Sequence, residues 1–241
     1  LEWIKRVNEQ AGGRLKIEYL GGPEVFPAFE QLDPLKRGVV DTIVTSTAYI
    51  AGALPETNAI WFLFEAADPV KAREIGLFDR LDRITREKAG VALLGSTGWF
   101  PFSVYLNKPI EKADLRGFKM RSTPIYDPVL KGLGAATVSL PPAEVIPALQ
   151  TGVVDGLAWP AIFIVQPGYG RYLKYKVMPW WWQSIEAEVL FNAKAFDALP
   201  NDLKNLLVDT QKEIEREAKR YFQAKEAAED ELLKKAGVKI I

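Results

Sequence analysis

EQLDPLKRGVVD at residues 30–41 returns as EVIPALQTGVVD at residues 144–155. The two copies share Glu, Leu, Gly, Val, Val and Asp in register, and Leu32 stands opposite Ile146. In each copy a short helical pattern closes on glycine and feeds a β-branched run, VVDTIVTST (39–47) or VVDGLAW (153–159). Six identities at fixed spacing indicate one structural solution used twice. The flanking sequence extends each copy into a β–α–β rhythm, the mark of a largely parallel sheet.

Before the first copy, a helix opens the chain and stops at Gly12–Gly13, and RLKIEYL (14–20) alternates as a strand. Pro27 and Pro34 bracket a short helix near 30–37, and AIWFLF (59–64) follows a Gly/Pro turn region. One charged helix is expected over 68–90, with Asp68 as its N-cap and Pro69 at its first position. VALLGSTG (91–98) reads as a buried strand that ends in a polar turn. FSVYLNKPI (102–110) then reads as a new strand, followed by a turn or short helix, KADLRG (112–117). Around the second copy come a strand GFKMRST (117–123), a helix PIYDPVLKGLG (124–134), a strand ATVSL (136–140) and a helix PAEVIPALQTG (142–152). Two lobes of like construction follow, with strand ends facing a gap of the kind where open parallel sheets bind ligands. Residues 200–237 form a single long helical pattern laced with Glu→Lys and Glu→Arg neighbours. At about 1.5 Å per residue it could reach some 50 Å, enough to brace both lobes. The opening LEWIKRVNEQAGG is a helix already under way without a cap, as though a segment preceded it.

Composition narrows the chemistry. Lys plus Arg and Asp plus Glu both total 31 of 241 residues, so no basic surplus favours nucleic acid or an anionic membrane. Cys and His are both absent, which removes disulfides, thiolate nucleophiles and the commonest general base and metal ligand. Neither a metal nor a cofactor is expected. No apolar run approaches the roughly 20 residues that span a bilayer. Seven Trp, eight Tyr and twelve Phe make the chain somewhat rich in aromatics, and a ligand cleft is one place for them.

At residues 114–160, DLRGFKMRSTPIYDPVLKGLGAATVSLPPAEVIPALQTGVVDGLAWP, the chain resembles the DctP-type solute-binding proteins of tripartite ATP-independent periplasmic (TRAP) transporters. Residues 12–52 and MPWWWQSIEAEVLFNAKAFDALPNDL (178–203) fit the same family, most of all its 2-oxo-acid and monocarboxylate branch. The resemblance implies an α/β, two-lobed periplasmic binding protein-like fold with a long C-terminal helix bracing both lobes. It divides the chain into lobe I at 1–97, with its first strand missing, lobe II at 98–183, and a return strand with the hinge-spanning helix at 184–241. It implies a periplasmic, non-enzymatic receptor that closes on a small organic acid and delivers it to a TRAP permease; a monomer is expected ahead of a homodimer, which the branch resemblance and the long helix leave open, and the balanced charge gives no nucleic-acid partner.

The family's signature arginine falls on Arg121, which the resemblance assigns to the ligand carboxylate. The chemistry agrees, because a planar guanidinium offers a carboxylate two parallel donors. Trp159 and Trp181 match tryptophans of the 2-oxo-acid branch and are expected to line the cleft. Strand alternation sends Trp181 to one face and Trp180 and Trp182 to the other. Tyr49, Phe26 and Phe100 are further cleft candidates. That branch holds a cation with a glutamine and a glutamate; the matching places here read Phe100 or Pro101, and Ala158. A second arginine seen near Phe100 in sialic-acid-type relatives is also missing. One cationic anchor with aromatic walls therefore suits a monocarboxylate with a hydrophobic body.

Other motifs read more plainly. Asp41 and Asp155 sit at equivalent positions and are expected to accept backbone hydrogen bonds at a strand end rather than form a catalytic pair. Glu30 and Glu144 open the two repeat helices as caps. GVVDG lacks the glycines and the Lys-Ser/Thr of a phosphate loop. The alternative function, a carboxylate-using lyase or dehydratase on such a scaffold, needs a cleft carboxylate of raised pKa. No acid pair in the sequence marks one. A ligand-sensing half of a transcription regulator would need a DNA-binding segment, and none is visible.

Overall fold

The structure, a computed structural model, describes residues 2–63 and 67–241, with the backbone alone at Trp180. Phe64 of the AIWFLF stretch and the Trp180 side chain thus lie outside the described residues. The chain divides into two units, Leu1–Trp99 with Ile185–Lys219, and Phe100–Ser184 with Arg220–Ile241. Three segments pass from one unit to the other.

The helices of the first unit are α1 (Glu2–Gln10), α2 (Leu32–Lys36), α3 (Thr47–Ile50), α4 (Pro69–Glu74) and α5 (Leu77–Ala89). The second unit contributes α6 (Asp127–Gly132) and α7 (Val145–Gln150); α8 (Ala193–Ala198) returns to the first, and α9 (Asn201–Lys235) enters both. The strands are β1 (Thr42–Thr45), β2 (Val91–Leu106), β3 (Lys119–Ser122), β4 (Ala136–Ser139), β5 (Gly156–Pro160), β6 (Tyr175–Asn192) and β7 (Lys239–Ile240).

In the first unit β1 runs antiparallel to the end of β6, Thr42 opposite Phe191 and Thr45 opposite Glu188. Its core gathers Trp3 and Val7 of α1, Ala92 and Leu94 of β2, Val189 and Phe191 of β6, and Leu207 and Ile214 of α9. In the second unit β5 lies between β2, antiparallel with Leu106 opposite Gly156, and β3, parallel with Met120 opposite Gly156. β4 runs parallel to β3 on its other side, and β7 runs parallel to β6. Tyr105, Val145, Leu149, Leu157, Trp159 and Leu233 anchor the second core.

The repeated dodecapeptide is one device built twice. Gly38 and Gly152 close α2 and α7 with φ of 70° and 69°, in the left-handed region that glycine enters without penalty. Their N–H groups donate to the equivalent carbonyls of Leu35 (3.1 Å) and Leu149 (3.4 Å), and the valine after each stands exposed. The likeness reaches further than the sequence match. Asn192 donates its backbone N–H to the Asp41 carbonyl and Asn107 donates to the Asp155 carbonyl, both at 2.9 Å. Gly156 is needed for another reason: an added Cβ would lie 2.2 Å from the Tyr105 carbonyl oxygen of β2.

Several expectations change. Residues 14–20 form no strand; Asn8 takes both backbone groups of Ile17, its amide donating to the carbonyl (2.9 Å) and accepting from the N–H (2.7 Å). The helix expected over 68–90 breaks into α4 and α5 at Gly76, φ +74°, although Asp68 does cap α4 by accepting from Val70 and Lys71. The two strands expected on either side of a turn near Gly98 are the single strand β2. Neither Glu30 nor Glu144 caps: Gln31 precedes α2, and Glu144 before α7 makes no side-chain cap bond. The carboxylate of Asp155 does accept the Lys119 N–H (2.9 Å). Burial pushes this acid up, but the Lys119 N–H, the Asn107 amide and nearby lysines outweigh it and hold it below the usual range. For Asp41 the bond found runs to its backbone carbonyl.

The 35-residue α9 belongs to the first unit up to Lys219 and to the second from Arg220. In the first, Glu215 accepts from Arg73 Nε (2.6 Å) and Glu217 from Arg6 Nη2 (2.7 Å). In the second, Asp230 pairs with the wholly buried Lys176 (2.6 Å), and Glu229 accepts the N–H groups of Ile164 and Val165 (2.7 Å each).

Candidate functional site

Four of the six residues singled out in the sequence lie in the second unit. Lys119–Ser122 forms a strand because β4 and β5 flank it in parallel register, with Arg121 opposite Val138 and Leu157. Leu157 and Trp159, two residues apart on β5, share a sheet face, so the register brings the Trp159 ring beneath Arg121. The guanidinium carbon sits 4.7 Å from that ring's centre. Such a stack contributes about 0.5–2 kcal/mol, the more as water is excluded.

Arg121 is only 1% exposed. Its Nε donates to the Leu140 carbonyl at 2.9 Å, and Nη1 donates to the Tyr126 hydroxyl at 2.5 Å. That phenol donates its one proton to the Ala158 carbonyl, at 3.2 Å, and therefore accepts from the arginine. A carbonyl, a phenol and an indole face are neutral groups. Together they orient the plane of the guanidinium.

Trp159 is buried, packs edge-on against Tyr169 at 5.2 Å, and has an indole N–H that meets no hydrogen-bond partner among the described residues. The Trp181 ring stands edge-on to Tyr126 at 5.9 Å. It also meets Trp182 edge-on at 5.7 Å, so the expected alternation does not keep these two indoles apart, because rings this large reach past the strand. Arg121, Tyr126, Trp159 and Trp181 are thus linked through direct contacts. Phe100 forms a separate buried aromatic group with Phe222 (4.6 Å) and Phe163 (6.2 Å).

Tyr49 and Phe26 belong to the first unit. Tyr49, on α3, is half-buried and edge-on to Phe29 at 5.3 Å. Phe26 is half-buried, and its carbonyl accepts from the Gln31 amide at 3.4 Å. α3 is held by two acids of β6. The Glu188 carboxyl accepts the Thr47 N–H (3.0 Å), and Glu186 accepts from the Ser46 hydroxyl (2.8 Å), which itself caps α3 at Ala48. Complete burial, then the nearby Glu186 charge, push the Glu188 carboxyl well above the usual range. This is a raised-pKa acid of the kind a lyase would use, yet Glu188 is 0% exposed and holds a backbone N–H of its own unit.

Sequence reasoning missed Tyr126, Tyr169 and this acid pair. Tyr126 lies five residues beyond the signature arginine, across the Pro124 turn, where a turn can fold it back; that was the available signal. Among the described residues no three His, Cys, Asp or Glu side chains gather as a metal site, and no helix is long and apolar enough to cross a membrane.

Known proteins similar to this chain are solute-binding proteins. A solute-binding protein of Albidiferax ferrireducens is 27% identical over 98% of this chain and 71% of its own length. A monocarboxylate 2-oxoacid-binding periplasmic protein of Nostoc sp. is 28% identical over 84% of this chain and 57% of its own length. Among solved structures, a TRAP periplasmic solute-binding protein of Desulfovibrio salexigens with bound orotic acid superposes with a TM-score of 0.87 at 25% identity, covering 99% of this chain and 78% of that one. These relatives are solute receptors, not enzymes. The model of the bacterial extracellular solute-binding proteins, family 7, matches residues 1–241, and the chain belongs to this family, DctP.

Proposed function

We propose that the chain is the ligand-capturing body of a periplasmic receptor that binds a small organic monocarboxylate and hands it to a TRAP-type membrane permease. The observation that carries this is the buried Arg121 guanidinium, held in one plane by Leu140, Tyr126 and Trp159. As a planar guanidinium, Arg121 is suited to meet the two oxygens of a carboxylate with parallel donors. Trp159 and Trp181 exclude water, which strengthens the charge pair. One anchoring cation with ring-lined surroundings favours one carboxylate on an apolar or flat body over a dianion. The 2-oxoacid named for the Nostoc relative and the orotic acid bound by the Desulfovibrio protein support that class. The receptor acts as a monomer and needs no cofactor.

The test is a thermal-shift screen against monocarboxylates, 2-oxo acids, aromatic acids and C4-dicarboxylates, run on the native protein and on Arg121→Ala. Stabilisation by monocarboxylates in the native protein alone is expected. A response confined to dicarboxylates, or one that survives in Arg121→Ala, defeats the assignment.

A further inference from the structure

We infer that the outward face of α9 in the second unit, from Arg220 to Lys235, docks on an anionic lipid surface. The chain is neutral as a whole, yet within its bounds the second unit holds 14 Lys and Arg against 9 Asp and Glu. Along this part of α9 the acids turn inward. Glu226 and Asp230 pair with the buried Lys176, and Glu229 accepts the N–H groups of Ile164 and Val165. The helical repeat puts Tyr221, Ala224, Lys225, Ala228, Leu232 and Lys235 on the other side, and all six are exposed, Tyr221 by 54% and Leu232 by 46%. Arg220 flanks this stripe. Neither Arg220 nor Lys225 forms an ion pair among the described residues; Lys225 instead lies over the Tyr221 ring, 5.4 Å from its centre. Of the outward acids in this stretch, Glu231 is held by Lys234 at 2.8 Å.

This pattern fits a headgroup layer. Tyr221 and Leu232 stand about 16 Å apart along the helix axis, with alanines between them and cations at both ends. A phenol and an aliphatic tip can enter the boundary of the acyl chains while Arg220, Lys225 and Lys235 meet lipid phosphates. A second copy of the chain suits the face less well. Two antiparallel copies would set Arg220 and Lys225 of one against Lys234 and Lys235 of the other, and like charges held that close repel. The balanced total of the chain hides this surface, because the compensating acids lie in the first unit or face the second core.

Sedimentation with vesicles tests this on the whole chain, using phosphatidylcholine alone and phosphatidylcholine mixed equally with phosphatidylglycerol. The native protein should bind the anionic vesicles at least about tenfold more strongly than the neutral ones, and the difference should shrink as salt rises. One cation at such a surface contributes about a factor of five, so Arg220→Glu with Lys225→Glu should weaken that binding at least about twentyfold. Tyr221→Ser with Leu232→Ser removes the apolar tips and should weaken it about tenfold. Arg80→Glu with Arg83→Glu makes the same change in net charge at exposed positions of the first unit, and should shift binding less than about threefold. The inference is overturned if the native protein binds both vesicles equally or neither, if the Tyr221 and Leu232 pair has no effect, or if the Arg80 and Arg83 pair weakens binding as much as the Arg220 and Lys225 pair. Binding to native bacterial membranes but not to pure lipid, lost with Arg220 and Lys225, would give the face to an acidic protein and overturn the lipid assignment. Self-association in sedimentation velocity, lost with Tyr221 and Leu232, would give it to a second copy and overturn the assignment as well.

Discussion

Replacing Glu188 with glutamine should change how stability depends on pH. In the fold, burial and the Glu186 charge raise this carboxyl well above its usual value, while in the unfolded chain it titrates near 4.5. Above that pH the unfolded chain has released the proton and the folded protein still holds it. Unfolding therefore releases a proton, and stability falls as pH rises until the folded-state pKa is passed. The contribution is fully present below the unfolded pKa and lost through this window, at about 1.4 kcal/mol per pH unit. In a chain of this size that equals about 3–5 °C in Tm per unit. Glutamine keeps a carbonyl for the Thr47 N–H but has no proton to lose, so Glu188→Gln should lack the slope. Other titrating groups, Glu215 and Asp155 among them, are common to both proteins and cancel in the difference. Thermal unfolding from pH 4.5 upward should show Tm(Glu188→Gln) gaining steadily on the native value. Parallel profiles across that range would refute the buried, protonated carboxyl.

Two substitutions probe the scaffold, each read by thermal or denaturant unfolding. Arg73→Ala leaves Glu215 buried without its Nε and Nη2 donors, and should cost about 3–5 kcal/mol; a loss below 1 kcal/mol would contradict a pair that holds α9 to the first unit. Gly156→Ala sets a Cβ against the Tyr105 carbonyl and should cost about 1–3 kcal/mol by forcing β5 from β2, whereas a neutral effect would show that the two strands part easily.

The sequence made the repeated helix–glycine–strand device plain, because a left-handed glycine and a β-branched run leave little choice of conformation. It also marked Arg121 through the family segment, and Asp68 as a cap through its place before proline. Elsewhere punctuation misled. The STG stretch at 96–98 read as a turn between two strands, but β2 runs through it with nearly every side chain buried, and that burial outweighs local preference. RLKIEYL has the alternation of a strand, but the Asn8 side chain occupies both backbone groups of Ile17. Nothing local in the sequence marks Glu186 and Glu188; their burial depends on hydroxyl and N–H donors from Ser46 and Thr47, more than a hundred residues away in the chain. Tyr126 escaped notice for a like reason: only the folded turn brings its hydroxyl to the guanidinium.

The most direct measurement is a calorimetric titration of the native protein, Arg121→Lys and Arg121→Ala with the acid that stabilises the native protein most. Loss of a desolvated charge partner costs about 2–5 kcal/mol, so Arg121→Ala should bind at least about thirtyfold more weakly, with Arg121→Lys in between. Equal affinity in all three proteins would show that the acid is held elsewhere.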